Sequence, residues 1–543
     1  MILNYDKRNS DSIIVRKIPK IFSIVIFLVT ILLLFSKIGL CTDFFWQESG
    51  VPISIAQNDQ KFFKTATDKC GGVFLVWVDY KDDFFGDIYA QRLDINGKAL
   101  WRENGVLVCS SESEQNALDL VACDSGEAIV VWNDRRSWTK FDIYAQKLDC
   151  NGAFLWSPNG VPVCTLLSDQ TCPKITSDGK GGAIVVWQDK RSGFSYDIYA
   201  QRINKFGEIL WTQGGIAIGK TPYSETYPQI ISDEEGGAIV AWNQRSDLLT
   251  GDIYAQKIGS SGNILWKEDG VLICKLFGNQ SGILLVPDGK GGAIISWLLY
   301  KEKDSDIYAQ RIDKNGTLRW LPQEICICSE KGAETNLSIT SDGGGGAVFC
   351  WSDYRNKNWD IYAQRIDSEG YALWRKNGIL VCSSFGPQWN PKVALFDKEK
   401  YFFTWEDNRS HTSLIYAQAL DSSGNFLWDK NGVFVCWSDS DQTHPDIVSN
   451  GKGGVVIFWI DRRFACADIY SQSVMEFLLG DANRDDKIDS FNVGYLASFL
   501  LAGGPPPVPQ ASGDFNCDLT ISLSDVLLLR NSIFKKNFYP FSQ

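Results

Sequence analysis

The sequence predicts an all-β protein: an eight-bladed β-propeller of four-stranded blades closed by its N-terminal strand, followed by a small α-helical C-terminal module. Three observations carry the propeller. The first is a pentapeptide, Asp-Ile-Tyr-Ala-Gln, that opens at Asp87, Asp142, Asp197, Asp252, Asp306 and Asp360, with altered copies at Leu414 and Asp468. Successive copies are 55 or 54 residues apart, and a fixed period of that size marks a repeat architecture. The second is the content of the repeat, four short apolar segments separated by Gly, Asn and Asp, which is the make-up of a propeller blade. The third is phase. A Trp-x3-Gly marker runs from Trp46 to Trp428, and the chain ends its last repeat at Asp468-Ile-Tyr-Ser-Gln472 without one. The segment that opens the pattern is therefore what the last unit lacks, as in a ring whose first strand completes its final blade and leaves no open edge.

The unit beginning at Thr171 sets out the elements in order. Pro173–Thr176 is a short strand, and Ser177-Asp178-Gly179-Lys180-Gly181-Gly182 a turn, since Gly tolerates positive φ and Asp closes turns through its side chain. Ala183–Trp187 is a continuous apolar run, expected to be buried on both faces. A polar loop leads to a third strand, Asp197–Ile203, and a hairpin turn at Asn204–Gly207. Glu208–Trp211 is expected as the fourth strand, with Trp-x3-Gly and the apolar run after it leading to the next unit.

Residues present once per blade read as structure. The strand-ending Trp recurs at Trp77, Trp132, Trp187, Trp242, Trp297, Trp351, Trp405 and Trp459. In several copies it opens Trp-x-Asp-x-Arg, as in Trp187-Gln188-Asp189-Lys190-Arg191, while Gln244 and Leu299 depart from the Asp. The expectation is that Asp ties down backbone amides and that Arg stacks on Trp. Cys109, Cys164, Cys274, Cys328, Cys382 and Cys436 share one position in the repeat and read as small buried hydrophobes. Cys164 and Cys172 flank one loop and are the pair that could bridge.

Net charge is −12 across 543 residues, which excludes a nucleic-acid partner because phosphate binding needs a basic face. Lys7, Arg8, Arg16, Lys17 and Lys20 precede an apolar run from Ile21 to Phe35, and Gly39-Leu40-Cys41 supplies a small-residue cleavage site. Residues 1–41 thus read as a signal peptide for a secreted or cell-surface protein, with an uncleaved anchor as the alternative. The propeller is assigned to residues 42–474 and the C-terminal module to 475–543.

In that module, oxygen side chains recur at the spacing of a twelve-residue calcium loop. Asp481, Asn483, Asp485, Asp489 and Asn492 hold positions 1, 3, 5, 9 and 12, with the carbonyl of Lys487 at position 7. Asp514, Asn516, Asp518, Ser522 and Asp525 repeat the set, with the carbonyl of Thr520 at 7. Each loop follows a Gly and precedes an apolar segment suited to a helix. The pair resembles a type I dockerin over about residues 479–536. The resemblance implies Ca2+ in both loops and docking of the paired helices onto a cohesin-like domain. A calcium-stapled terminal clip without a partner is the alternative.

No catalytic constellation emerges from the pattern, whose only histidines are His411 and His444. A catalytic carboxylate pair should break the repeat rather than follow it. Aromatic residues that do break it lie in the loops before the pentapeptide. Trp138, Tyr196 and Trp359 are the residues expected to contact a ligand, a polysaccharide or a protein. The functional expectation is an exported binding propeller carried by a dockerin-like module, with a glycoside hydrolase or polysaccharide lyase as the alternative.

Overall fold

The computed structural model describes residues 40–44, 49–478, 490–502 and 521–536, apart from 69–70, 83, 124–125, 246–250, 275, 302–303, 321–323 and 398. The signal-peptide assignment at 1–39, and Trp46, lie outside the described residues. Among the described residues no helix is long and apolar enough to cross a membrane.

Asp43–Met475 forms one compact unit of eight antiparallel sheets. The first blade pairs Gln60–Thr67, Val73–Asp79, Asp87–Leu93 and Val106–Cys109 in that order, and the next six repeat the pattern. In the eighth, Gln442–Ser449, Gly454–Asp461 and Asp468–Leu478 are completed by Val51–Ser54 from the other end of the chain, and Leu40–Phe44 also joins the sheet. Val51 lies opposite Ser471 and Pro52 opposite Tyr470. The expected closure is thus present.

The fourth strand is not where the sequence places it. Glu208–Trp211 makes only an isolated bridge, Ile203 to Ile209, and the fourth strand is Ile216–Gly219 beyond the Trp-x3-Gly turn. Gly160 explains the turn. It has φ +83°, and a methyl group there would lie 2.5 Å from Trp132 Cη2. The glycine lets the loop fold flat over the buried Trp and delay the last strand.

The first strands of neighbouring blades touch one another all round, Gln442–Ser449 against Gln60–Thr67 included, so they form the inner wall of the ring. The core is a series of layers between blades rather than one mass. Phe74, Val76 and Val78 of the first blade pack on Leu118, Val130 and Trp132 of the second, and Ile53, Val73 and Trp77 on Val456, Phe458 and Ile469 across the seam.

Ser490–Ala502 and Leu523–Lys536 are two helices that pack through Leu496, Val526 and Leu529.

Candidate functional site

The repeated residues form staples between blades. Trp132 Nε1 donates to Asp134 Oδ2 at 2.9 Å, and Asp134 Oδ1 accepts from the Arg136 amide at 2.9 Å. Arg136 returns a bond to Asp134 and donates to the carbonyl of Asn159. Its Nη2 also lies 3.5 Å from Cys109 Sγ of the preceding blade. The same set recurs at Asp189, Asp353, Asp407 and Asp461. Asp does tie down the following amide. Arg, however, lies over Tyr rather than Trp: the guanidinium carbon is 3.6–4.1 Å from the ring centre of the pentapeptide Tyr. The Trp is the cross-strand partner of that Tyr, its ring centre 6.2–6.5 Å away. Where Gln244 and Leu299 replace Asp, the Nε1 of Trp242 and Trp297 is left without an acceptor.

The repeated thiols are buried and free. Burial pushes Cys109 and Cys382 up to about 12 and Cys164 to about 11, which favours the protonated thiol. Cys164 and Cys172 do not bridge. Cys164 faces Arg191 instead, 3.6 Å from its Nη2. Cys328, Glu334 and Asp353 lie within metal-ligating distance of one another. Arg355 already fills that space, 3.1 Å from Cys328 Sγ and 2.6 Å from Asp353, so the charge a cation would bring is in place.

A second row has the same backbone in every blade and seven different side chains over the eight, Asn alone occurring twice. Every first strand carries a buried Gln or Glu as its first or second residue, and two residues later the backbone turns to positive φ. The residues are Phe62 (57°), Ala117 (49°), Cys172 (55°), Tyr227 (55°), Gly282 (66°), Asn336 (52°), Asn390 (49°) and His444 (56°). Strand register slips at each one, for example between Lys61 and Lys64, which makes it a β-bulge on the inner wall. Bulky residues in this region are strained and persist only when their surroundings hold them. Here the preceding blade does so: Gln188 Oε1 accepts from the Tyr227 amide at 3.1 Å, and Glu406 Oε1 from the His444 amide at 2.6 Å. Asn390 Nδ2 also donates to Glu406, and Asn336 Nδ2 to Asn390 Oδ1, both at 2.7 Å.

Three bulge residues, Phe62, Asn390 and His444, line one cavity of about 320 Å³ with Lys61, Lys64, Lys392, Asp446 and Arg462. It draws on the seventh, eighth and first blades. Lys61 and Phe62 also border a wider depression of about 930 Å³, whose wall includes Tyr80, Phe84 and Phe85. The two make a groove from the inner wall outward. Phe84 and Phe62 are exposed, at 91% and 63%.

The aromatic residues picked from the sequence lie in the expected loops, on the face that also carries the links between blades, but in three separate places. Exposed Trp138 meets Phe85 edge-on at 5.8 Å, next to the groove wall. Trp359 is half-buried between Tyr354 and Trp389, at 5.0 and 4.5 Å. Half-buried Tyr196 lies in the third blade, under Lys190 at 5.7 Å. None of the three lines the groove. The bulge residues were missed because no one residue type marks them; their signal is a fixed offset of two from the buried Gln or Glu.

In the C-terminal module Asp481, Asn483, Asp485, Lys487, Asp489, Asp514, Asn516, Asp518 and Thr520 lie outside the described residues. Asn492 and Asp525 are each the third residue of a helix, and both are fully buried. Ser522 caps its helix: its amide donates to Asp525 Oδ2 at 2.9 Å, the reciprocal bond of a capping box. The described donors are hard oxygens at equivalent places in two helices, a chemistry that fits calcium.

No family model and no curated protein matches the chain. Solved structures similar to it include polysaccharide lyase Uly1 (9% identity, TM-score 0.40, 79% of this chain and 91% of that one). An ulvan lyase bound to -[GlcA(1-4)Rha3S]- has 9% identity and TM-score 0.41, over 74% and 98%. An α-L-arabinofuranosidase from Fusarium graminearum has 9% identity and TM-score 0.37, over 70% and 98%. These likenesses are distant, and the fold rests on the strand pairing described above.

Proposed function

We propose that the propeller is a polysaccharide-binding domain and that its ligand lies in the groove of the seventh, eighth and first blades. One observation carries this reading. On a scaffold that repeats its residues blade after blade, non-repeated side chains converge in one groove, and they are of the kinds that hold sugars. Phe62, Tyr80, Phe84 and Phe85 offer flat rings to sugar faces. Asn390 and His444 offer hydrogen bonds. Residues 1–41 export the chain, which acts outside the cell or on its surface. Residues 475–543 are a dockerin-like module that docks onto a cohesin-like domain. Each loop holds Ca2+ through Asp481, Asn483, Asp485, Asp489 and Asn492, or through Asp514, Asn516, Asp518, Ser522 and Asp525, with the carbonyls of Lys487 and Thr520. The buried, equivalent Asn492 and Asp525 support that pairing.

The test is retention of the full chain on a panel of polysaccharides, with soluble sugar measured in the same tubes. Retention without release supports a binding domain; no retention sinks it. Release would favour the second reading, a glycoside hydrolase or polysaccharide lyase, for which the presence of His444 in the groove speaks. For the tail, calcium titration should show two sites, and a chelator should abolish capture by a cohesin domain. Binding of no calcium would remove the dockerin-like assignment.

A further inference from the structure

We infer that the groove selects an anionic polysaccharide, taking its carboxylate or sulfate groups between Lys64, Lys392 and Arg462. This deepens the reading above and rests on it. In a chain of net charge −12, anions are repelled at long range, so a local excess of cations needs a reason. The smaller cavity is lined by Lys61, Lys64, Lys392 and Arg462 against a single carboxylate, Asp446. Lys61 is engaged by Asp59 at 2.5 Å. Lys64, Lys392 and Arg462 have no ion-pair partner among the described residues.

Lys64 and Lys392 occupy the same place in their blades, two residues beyond the bulge. The same place in the second and third blades holds Asp119 and Lys174, which face each other at 4.0 Å. There one cation meets one carboxylate. Around the eighth blade two lysines flank Asp446, whose Oδ2 accepts instead from Thr65 Oγ1 at 2.8 Å. Arg462 adds a third cation from the loop above. Three blades thus send cations that form no salt bridge among the described residues into one cavity, with Phe62 as its aromatic wall. Asp59 attracts Arg462 from one side, and Glu406 is held by Asn390 and the His444 amide. Such a site binds a charged sugar by its acid group and its ring together, and a neutral sugar by the ring alone.

The experiment uses the full chain on affinity gels of polygalacturonate, a sulfated carrageenan, and neutral arabinan and xyloglucan, at low and high salt. The expected result is retention on an acidic polymer at least about tenfold above the neutral ones, weakened by salt. The double variant Lys64→Gln/Lys392→Gln and the single variant Arg462→Gln should each lose about tenfold or more with unchanged melting temperature. Preference for polygalacturonate would assign carboxylates, and preference for carrageenan sulfates. Equal retention on neutral polymers, or variants that bind like the parent, would overturn the anionic selection and leave the glycan reading standing. Retention on none of them would overturn both.

Discussion

Two rows of residues cross every blade, and they behave oppositely. The Trp–Asp–Arg–Tyr row keeps its side chains nearly constant and in five blades joins the blade to the thiol of the one before. The bulge row keeps its backbone constant and varies its side chain, with seven residue types over eight blades and only Asn336 and Asn390 alike. Constancy of side chain marks residues whose partners are also repeated. Constancy of strained backbone with divergent side chains marks a display position, where the scaffold maintains the geometry and the chemistry is free to vary.

The contrast can be broken from the structural side first. Asp407→Ala should cost about 3 kcal/mol or more in urea unfolding, because Trp405 Nε1 and Arg409 lose their shared acceptor in a buried setting. A smaller loss would mean that the row is less coupled than its geometry implies. Gly160→Ala comes next, at about 2 kcal/mol, from positive φ together with the clash on Trp132.

Glu334→Gln tests the buried residue that opens the sixth blade. Burial in particular pushes Glu334 up to about 9 from its ordinary 4.5. The folded state therefore keeps a proton that the unfolded chain loses, and the stability this residue contributes is complete below about pH 4.5 and declines as pH rises toward 9. Gln, which holds the equivalent position in six of the other first strands, should raise the melting temperature at pH 8 and leave it unchanged at pH 4. Glu225, at about 7 for the same reason, should follow the same course over a narrower range.

The smallest effect on stability belongs to the bulge row. Phe62→Gly should change unfolding free energy by no more than about 1 kcal/mol, since Gly relieves the positive φ of a largely exposed side chain, while retention on polysaccharide falls. A large loss of stability would make Phe62 a structural residue and dissolve the contrast.

Much of this was legible in the sequence and the reasons are local. The period, the Trp positions and the missing last segment fixed blade number and closure, because each blade must solve the same packing problem. The fourth strand was misplaced because Trp-x3-Gly reads as a strand end, whereas Gly160 folds the loop over Trp132. The bulges were hidden because Phe62 and Tyr227 are not residues whose presence announces positive φ. The cations of the groove lie in strands far apart in sequence, and only the ring brings Lys64 next to Lys392. Trp138 and Trp359 lie outside the lining of the groove, because what gathers beside Phe62 is decided by blade order, not by the richness of any one loop.

The seam between Val51–Ser54 and Asp468–Leu478 also sets a timetable for biosynthesis. The segment made first cannot reach its place until the last blade has been made, so a growing chain remains an unlatched arc with one edge exposed for almost the whole of its synthesis. Once latched, neither end can fray alone, because releasing Val51–Ser54 opens the edge of the eighth sheet. Moving the termini to a turn between two other blades would shift the latch and leave the finished ring unchanged, while giving a different blade the task of waiting.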